Sequence, residues 1–237
     1  MNTLKKIKKN FLVVSDYNWL PQNLEESWVC KYTDNYLIYD RAHRFEESDK
    51  VKHQKNVGQN VYDIFDFIVT HYNDLPDATI FCRACVHYPK KTPDGESYGN
   101  CSEEKFVSLM NNDTFTELHD FGPEVHNGTS SKMAEDGGFL EINNSWYLHH
   151  VPWKHFSNLN TFLRDVYINP EIPRYIRFSP GANYVIPKDD ILKYSKNFYE
   201  KIREYLSWDC VIGEAHILER CLYTIFTCDY KVKEKYR

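Results

Sequence analysis

Residues 56–89 constrain the fold of this chain more than any other stretch. Val57, Val61, Ile64, Phe65 and Ile68 recur at three- and four-residue steps, which makes one face of a helix apolar. Asn73-Asp74-Leu75-Pro76-Asp77 stops that helix, because a proline disfavours helical dihedrals at the residue before it. Ala78-Thr79-Ile80-Phe81-Cys82 follows as a short apolar run, suited to a strand covered on both faces. Arg83 and the polar residues after it would leave the carboxyl end of that strand, the edge at which open α/β sheets bind ligands. The same segment also reads as plain α/β scaffolding.

The flanking segments fit the same architecture. Residues 11–15 form a first strand ending in Asp16-Tyr17-Asn18-Trp19-Leu20. Its acidic and amide groups either hydrogen-bond a base or ribose or cap their own turn. Residues 24–30 read as a short helix and 36–39 as a second strand, closed by Asp40. The charged, irregular stretch 41–54 is expected as an exposed loop. It leads into Asn56-Val57-Gly58-Gln59, where Gly58 allows a close backbone approach and helix-start amides could receive a phosphate. Neither a G-x-G-x-x-G nor a P-loop pattern is present, so a simple helix cap is the plainer reading.

Beyond residue 89 the chain is turn-rich around Pro93-Asp94-Gly95, then helical over 102–110. Residues 111–138 form a long polar loop holding His119, Asp120, Glu124, His126 and Asp136. A stretch of that length without structure is usually functional or mobile, and it reads as an acceptor-binding loop or lid. No metal-ligand spacing is found in it. The aromatic run 146–153 either stacks on sugar rings or packs beneath that loop. A helix over 156–167, a strand–turn–strand over 175–187 and helices over 188–194 and 195–206 follow.

The last helix, 213–226, buries Leu218, Cys221, Leu222 and Ile225. Glu214 stands at its amino end, where the helix dipole favours a carboxylate. His216, Glu219 and Arg220 are three and four residues apart and form one linked polar set. As chemistry, such a set removes a proton from a hydroxyl; as structure, it is a salt-bridged helix surface.

Composition closes off several function classes. The 34 acidic and 29 basic side chains give a formal charge of −5, which argues against a nucleic-acid partner, since that needs a basic face. No stretch approaches the roughly 20 apolar residues of a transmembrane helix. Lys5, Lys6, Lys8 and Lys9 form either a solvated tail or a peripheral contact with an anionic membrane surface. Seven cysteines without a signal peptide point to reduced thiols and a cytoplasmic setting. The lone Cys82-x-x-Cys85 pair lacks the second pair of a zinc site.

Taken jointly, several motifs resemble an uncharacterised domain family of fungi, bacteria and large viruses. They are Trp19-Leu20, Tyr39-Asp40, Asn56-Val57-Gly58, His71-Tyr72-Asn73-Asp74-Leu75-Pro76-Asp77, Pro180-Gly181-Ala182-Asn183-Tyr184 and Leu218-Glu219-Arg220. The layout of that family is similar to GT-A-type glycosyltransferases. The resemblance implies one α/β domain with a mixed, mainly parallel sheet flanked by helices, GT-A-like (Rossmann-like). Residues 11–89 would be its nucleotide-binding half and 90–237 its acceptor half. It implies sugar transfer from a nucleotide-sugar donor to a hydroxyl of a glycan or lipid-linked acceptor.

Carried over by position, Asp16, Asp40, Asn56 and Gly58 stand on the donor side. Ser179, Gly181, Asn183 and Arg220 stand on the acceptor side. Glu219, or else Glu214, is the general base, with His216 beside it. Where those enzymes often place the Asp-x-Asp that holds Mn or Mg, this chain has Cys82-Arg83-Ala84-Cys85. Arg83, with His87, is then expected to replace the cation by pairing with the diphosphate. The rival expectations are a non-catalytic carbohydrate-binding or scaffold protein, and a hydrolase using His216 and nearby carboxylates. The hydrolase lacks a Gly-x-Ser-x-Gly elbow.

Overall fold

Leu12, Val14, Ile38 and Ile80 are buried without exposure, and such continuously apolar strands belong in the middle of a sheet covered on both sides. The computed structural model describes residues 5–88, 101–120 and 130–237. Its strands, in chain order, are β1 (Phe11–Asp16), β2 (Tyr36–Asp40), β3 (Val51–His53), β4 (Ala78–Arg83), β5 (Thr116–Glu117), β6 (Ser131–Met133), β7 (Phe139–Ile142), β8 (Tyr175–Arg177) and β9 (Tyr184–Pro187). Its helices are α1 (Trp28–Tyr32), α2 (Gln59–Thr70), α3 (Glu103–Leu109), α4 (Leu159–Val166), α5 (Lys188–Ile191), α6 (Lys196–Tyr205) and α7 (Gly213–Thr227).

The main sheet has six strands in the order β3-β2-β1-β4-β9-β5. β1 pairs in parallel with both β2 and β4, and β2 with β3. β9 runs antiparallel between β4 and β5. The fold is therefore mixed α/β with a mostly parallel sheet flanked by helices. Its two faces alternate along each strand, as pleating demands. Val13 and Phe81 pack with Val61, Phe65 and Ile68 of α2, Phe198 of α6 and Leu222 of α7. Leu12, Val14 and Ile80 face the other layer, with Val29 of α1 and Phe106 of α3.

Two expectations need correction. Residues 41–54 are not simply an exposed loop. Val51–His53 pairs with β2 as an edge strand, and Arg41 is buried, its guanidinium donating to Asn56 Oδ1, Val57 O, Gln59 O and Asp63. The loop 111–138 is also partly regular, since it supplies β5 to the main sheet and β6 to a second sheet ordered β6-β7-β8. Glu124, His126 and the Pro93-Asp94-Gly95 turn lie outside the described residues. The strand–turn–strand at 175–187 forms as expected, but its strands enter different sheets: β8 joins β7, whereas β9 joins β4 and β5. Among the described residues no helix is long and apolar enough to cross a membrane.

Candidate functional site

The carboxyl ends of β1, β2, β3 and β4 share one edge of the sheet. Because β9 is antiparallel to β4, the turn leading into β9 lies at that same edge. Pro180-Gly181 sits there as a tight reversal, with the Ala182 amide donating to Ser179 O at 2.9 Å. Gly181 has φ +88, the left-handed value that the third residue of a proline-led turn requires and that glycine adopts without a steric penalty.

Three distant segments meet on this turn. Asn60, in the first turn of α2, donates through Nδ2 to Gly181 O at 2.9 Å. The Gly181 amide donates to Glu219 Oε1 of α7 at 2.6 Å. The Arg83 guanidinium, at the end of β4, lies against the Gly181 Cα, so that a Cβ there would fall 2.6 Å from Cζ. Asn183 Oδ1 accepts from the Arg83 amide at 3.1 Å. Arg83, Gly181, Asn183 and Glu219, nominated from separate parts of the sequence, thus adjoin one another, and Asn60 joins them. Sequence reasoning passed over Asn60, because an amide in a helix's first turn is an ordinary feature.

Ser179 is buried beside this turn, its amide donating to the Tyr184 hydroxyl at 2.6 Å. On the far side, a hollow of about 470 Å³ is lined by Glu117, His119, Asp120, Arg177 and Tyr223, among others. Tyr223 follows Glu219 by four residues on α7, so both lie on one helix face. Burial, reinforced by Arg177 and Lys105, pushes the His119 imidazole down to about 4, which keeps it neutral near pH 7. Burial raises the Glu117 carboxyl, although Arg177 at 2.6 Å opposes it.

The other nominated residues are placed differently. Asp16 Oδ1 accepts from the Trp19 and Leu20 amides at 2.9 and 3.0 Å, and Oδ2 accepts from Arg44 at 2.6 Å. Asp40 accepts from the amides of Ala42, Arg44 and Phe45. Both aspartates are fully buried and bracket the loops after β1 and β2. Asn56 accepts from Arg41, and Gly58, at φ +57, packs against Leu206. Both support the entry to α2.

Glu214 is also fully buried. Its Oε1 accepts from the Lys154 and His155 amides at 2.7 and 2.6 Å, so it pins the segment before α4. Arg220 is buried in a two-bond pair with Glu141, at 2.6 and 3.1 Å, and stacks 3.7 Å from the Tyr147 ring centroid. Its Nη1 lies 3.4 Å from Glu219 Oε2. Burial lowers the pKa of His216, one turn earlier. His87 packs among Trp28, Tyr32 and Phe106, with Nδ1 hydrogen-bonded to Cys101 O at 3.0 Å.

The sequence family described as "Protein of unknown function (DUF3431)" matches residues 12–235. The chain belongs to that family. The match takes in the main sheet from its second residue onward, so Arg83, Gly181 and Glu219 all lie within the DUF3431 region. No curated protein and no solved structure matches this DUF3431 chain.

The residues at the end of β4 and just beyond it do not fit a diphosphate-bridging cation. Hard cations take carboxylate oxygens, whereas Cys82 and Cys85 are buried thiols, and burial raises the Cys82 thiol well above its ordinary range. Among the described residues no three His, Cys, Asp or Glu side chains cluster as metal ligands.

Proposed function

We propose that this DUF3431 chain moves a sugar from a nucleotide-sugar donor to a hydroxyl of a glycan or lipid-linked acceptor, on a GT-A-like scaffold. The reading rests on one observation. A cation, Arg83, and a carboxylate, Glu219, flank the Gly181 turn at the carboxyl edge of the parallel strands, the edge where open α/β sheets bind ligands. In the proposed reaction the acceptor oxygen forms a bond to the anomeric carbon and its proton passes to Glu219. The bond from that carbon to the diphosphate oxygen breaks with its electron pair. Arg83 offsets the charge that develops on the departing diphosphate. The Gly181 amide holds Glu219 Oε1 and Arg220 Nη1 lies 3.4 Å from Oε2; these contacts orient the carboxylate, and the proton goes to Oε2, the oxygen with the longer contact.

The hollow beside Tyr223 serves as the acceptor side, with His119 neutral in its wall. Asp16, Asp40 and Glu214 then act by holding loops in place, as their hydrogen bonds suggest. All seven cysteines are free thiols, which suits a reducing compartment such as the cytoplasm. Donor turnover in Arg83→Ala and Glu219→Gln tests the roles: both variants should lose most transfer, and wild-type rates in both would end the assignment.

A second reading has its own support. The carboxylates at this edge are spent on backbone amides and Arg44, and the chain has Cys82-Arg83-Ala84-Cys85 in place of Asp-x-Asp. A carbohydrate-binding protein that kept the scaffold without the chemistry fits those facts. Binding of nucleotide sugars, followed by thermal shift with and without manganese, and no turnover across an acceptor panel would favour it.

A further inference from the structure

Trp19 is a large apolar side chain held out in water by its own backbone. Asp16 Oδ1 accepts the amides of both Trp19 and Leu20, and Asn18 takes a left-handed φ of +64. This tight turn drives Leu20 into the core, at 3 % exposure, and turns Trp19 outward, at 46 %. Tyr88, just past the end of β4, is 45 % exposed and stacks on Trp19 with ring centroids 5.8 Å apart and planes 30° from parallel. Together they wall a groove that Trp28, Lys31, Ser27 and Glu26 complete, about 380 Å³ in volume.

The position of the groove is as telling as its chemistry. Chain order runs from β1 outward through β2 and β3, then returns to the other side of β1 as β4. The strand order therefore reverses between β1 and β4, and the crevice outside the carboxyl ends of those two strands is where doubly wound sheets seat a ligand. Trp19 follows β1 and Tyr88 follows β4. The groove is also tied to the proposed diphosphate site, because the Trp28 indole N–H donates to Ala84 O at 3.0 Å, one residue beyond Arg83. The half-exposed ring faces offer stacking area, and Lys31, which lines the groove, supplies positive charge for an anionic tail.

We infer that the groove walled by Trp19 and Tyr88 binds the nucleobase of a nucleoside diphosphate, whose phosphates extend toward Arg83. The inference rests on the transfer reading only in taking the ligand to be a nucleotide donor. The base stacks on an exposed ring face, a mode that tolerates any base because each has a π-face. Lys31 at the rim faces the phosphate or ribose end, and the planar base meets Trp19 or Tyr88.

Calorimetric titration of the full chain tests this with uridine, guanosine and adenosine diphosphates as probes and inorganic pyrophosphate and free glucose as controls. At least one nucleoside diphosphate should bind about tenfold or more tightly than pyrophosphate. Trp19→Ala and Tyr88→Ala should each weaken it about tenfold, in line with the loss of one stacked base, and leave pyrophosphate affinity unchanged. Trp19→Phe should restore most of the affinity, which a folding defect would not allow. Nucleotide binding no tighter than pyrophosphate, equal nucleotide affinity in wild type and Trp19→Ala, or a Trp19-dependent response to glucose alone would each overturn the inference. A chain that binds nucleotide through Trp19 yet never transfers sugar would uphold it and sink the transferase reading instead.

Discussion

Placing a methyl group on Gly181 probes the site's geometry directly. Gly181→Ala meets two obstacles. The first is backbone: φ is +88, and a left-handed conformation costs an L-residue with a Cβ about 1–2 kcal/mol. The second is steric: the new Cβ would lie 2.6 Å from Arg83 Cζ and 2.8 Å from Nε. The guanidinium ends a flexible side chain and can rotate away cheaply, so the backbone should dominate the stability loss. At about 2–4 °C per kcal/mol for a chain of this size, the melting temperature should fall by roughly 2–8 °C. The displaced Arg83 should reduce pyrophosphate binding as far as Arg83→Ala does. Thermal unfolding of Gly181→Ala, Arg83→Ala and the double variant separates the two terms. Two independent costs add to within about 0.5 kcal/mol, so the loss on adding the methyl should be the same in either background. If the loss vanishes once Arg83 is removed, the wall is the guanidinium and not the backbone; if Gly181→Ala is neutral in wild type, the turn is not as described.

Three further outcomes follow from buried charges. Glu214→Ala leaves the Lys154 and His155 amides without an acceptor and should cost about 3–5 kcal/mol in urea unfolding, with Glu214→Gln recovering part; a cost below about 1 kcal/mol would remove its anchoring role. Arg220→Met strands Glu141, itself 4 % exposed, and should cost about 3–5 kcal/mol, most of it regained in Arg220→Met with Glu141→Met; a double variant no more stable than Arg220→Met alone would refute the pairing. The third outcome concerns pH. Burial raises Asp63 to about 6 despite Arg41, so between pH 4 and 6 the folded chain keeps a proton that the unfolded chain has released. Its contribution to stability therefore falls as pH rises through that window, by up to about 3 kcal/mol. His119, lowered to about 4, acts in reverse: the unfolded imidazole takes up a proton below about 6.5 that the folded one refuses, so stability falls as pH drops. Urea midpoints from pH 4 to 6.5 for wild type, Asp63→Asn and His119→Gln should show differences of opposite slope, and parallel profiles would contradict both shifts.

The central strands and long helices were readable because burial on both faces demands continuous apolar runs, and burial on one face demands a helical period. β1, β4, α2 and α7 announce themselves in this way. β3 and β5 do not, at three and two residues. Val51–His53 contains a lysine and a histidine and is a strand because β2 offers it an open backbone edge, which is a tertiary cause. Arg41 looked solvated for a related reason: its acceptors come from residues 56–63, and only folding brings them together. The Pro180-Gly181 turn was legible and marked the point where the site assembles. Asp16, Asp40 and Glu214 show the limit at the site itself. A carboxylate at a strand or helix end looks the same in sequence whether it meets a ligand or collars a loop. The difference is where the neighbouring amides point, and the sequence does not encode that locally.

The antiparallel insertion of β9 sets an order of events for the growing polypeptide. A ribosome releases Arg83 about 100 residues before the Asn183 that will receive its amide, and the flank of β4 stays bare throughout that interval. The first half of the molecule therefore emerges as an unfinished sheet with a sticky border. A nascent chain arrested before residue 184 should call on chaperones that a chain arrested after residue 227 no longer needs.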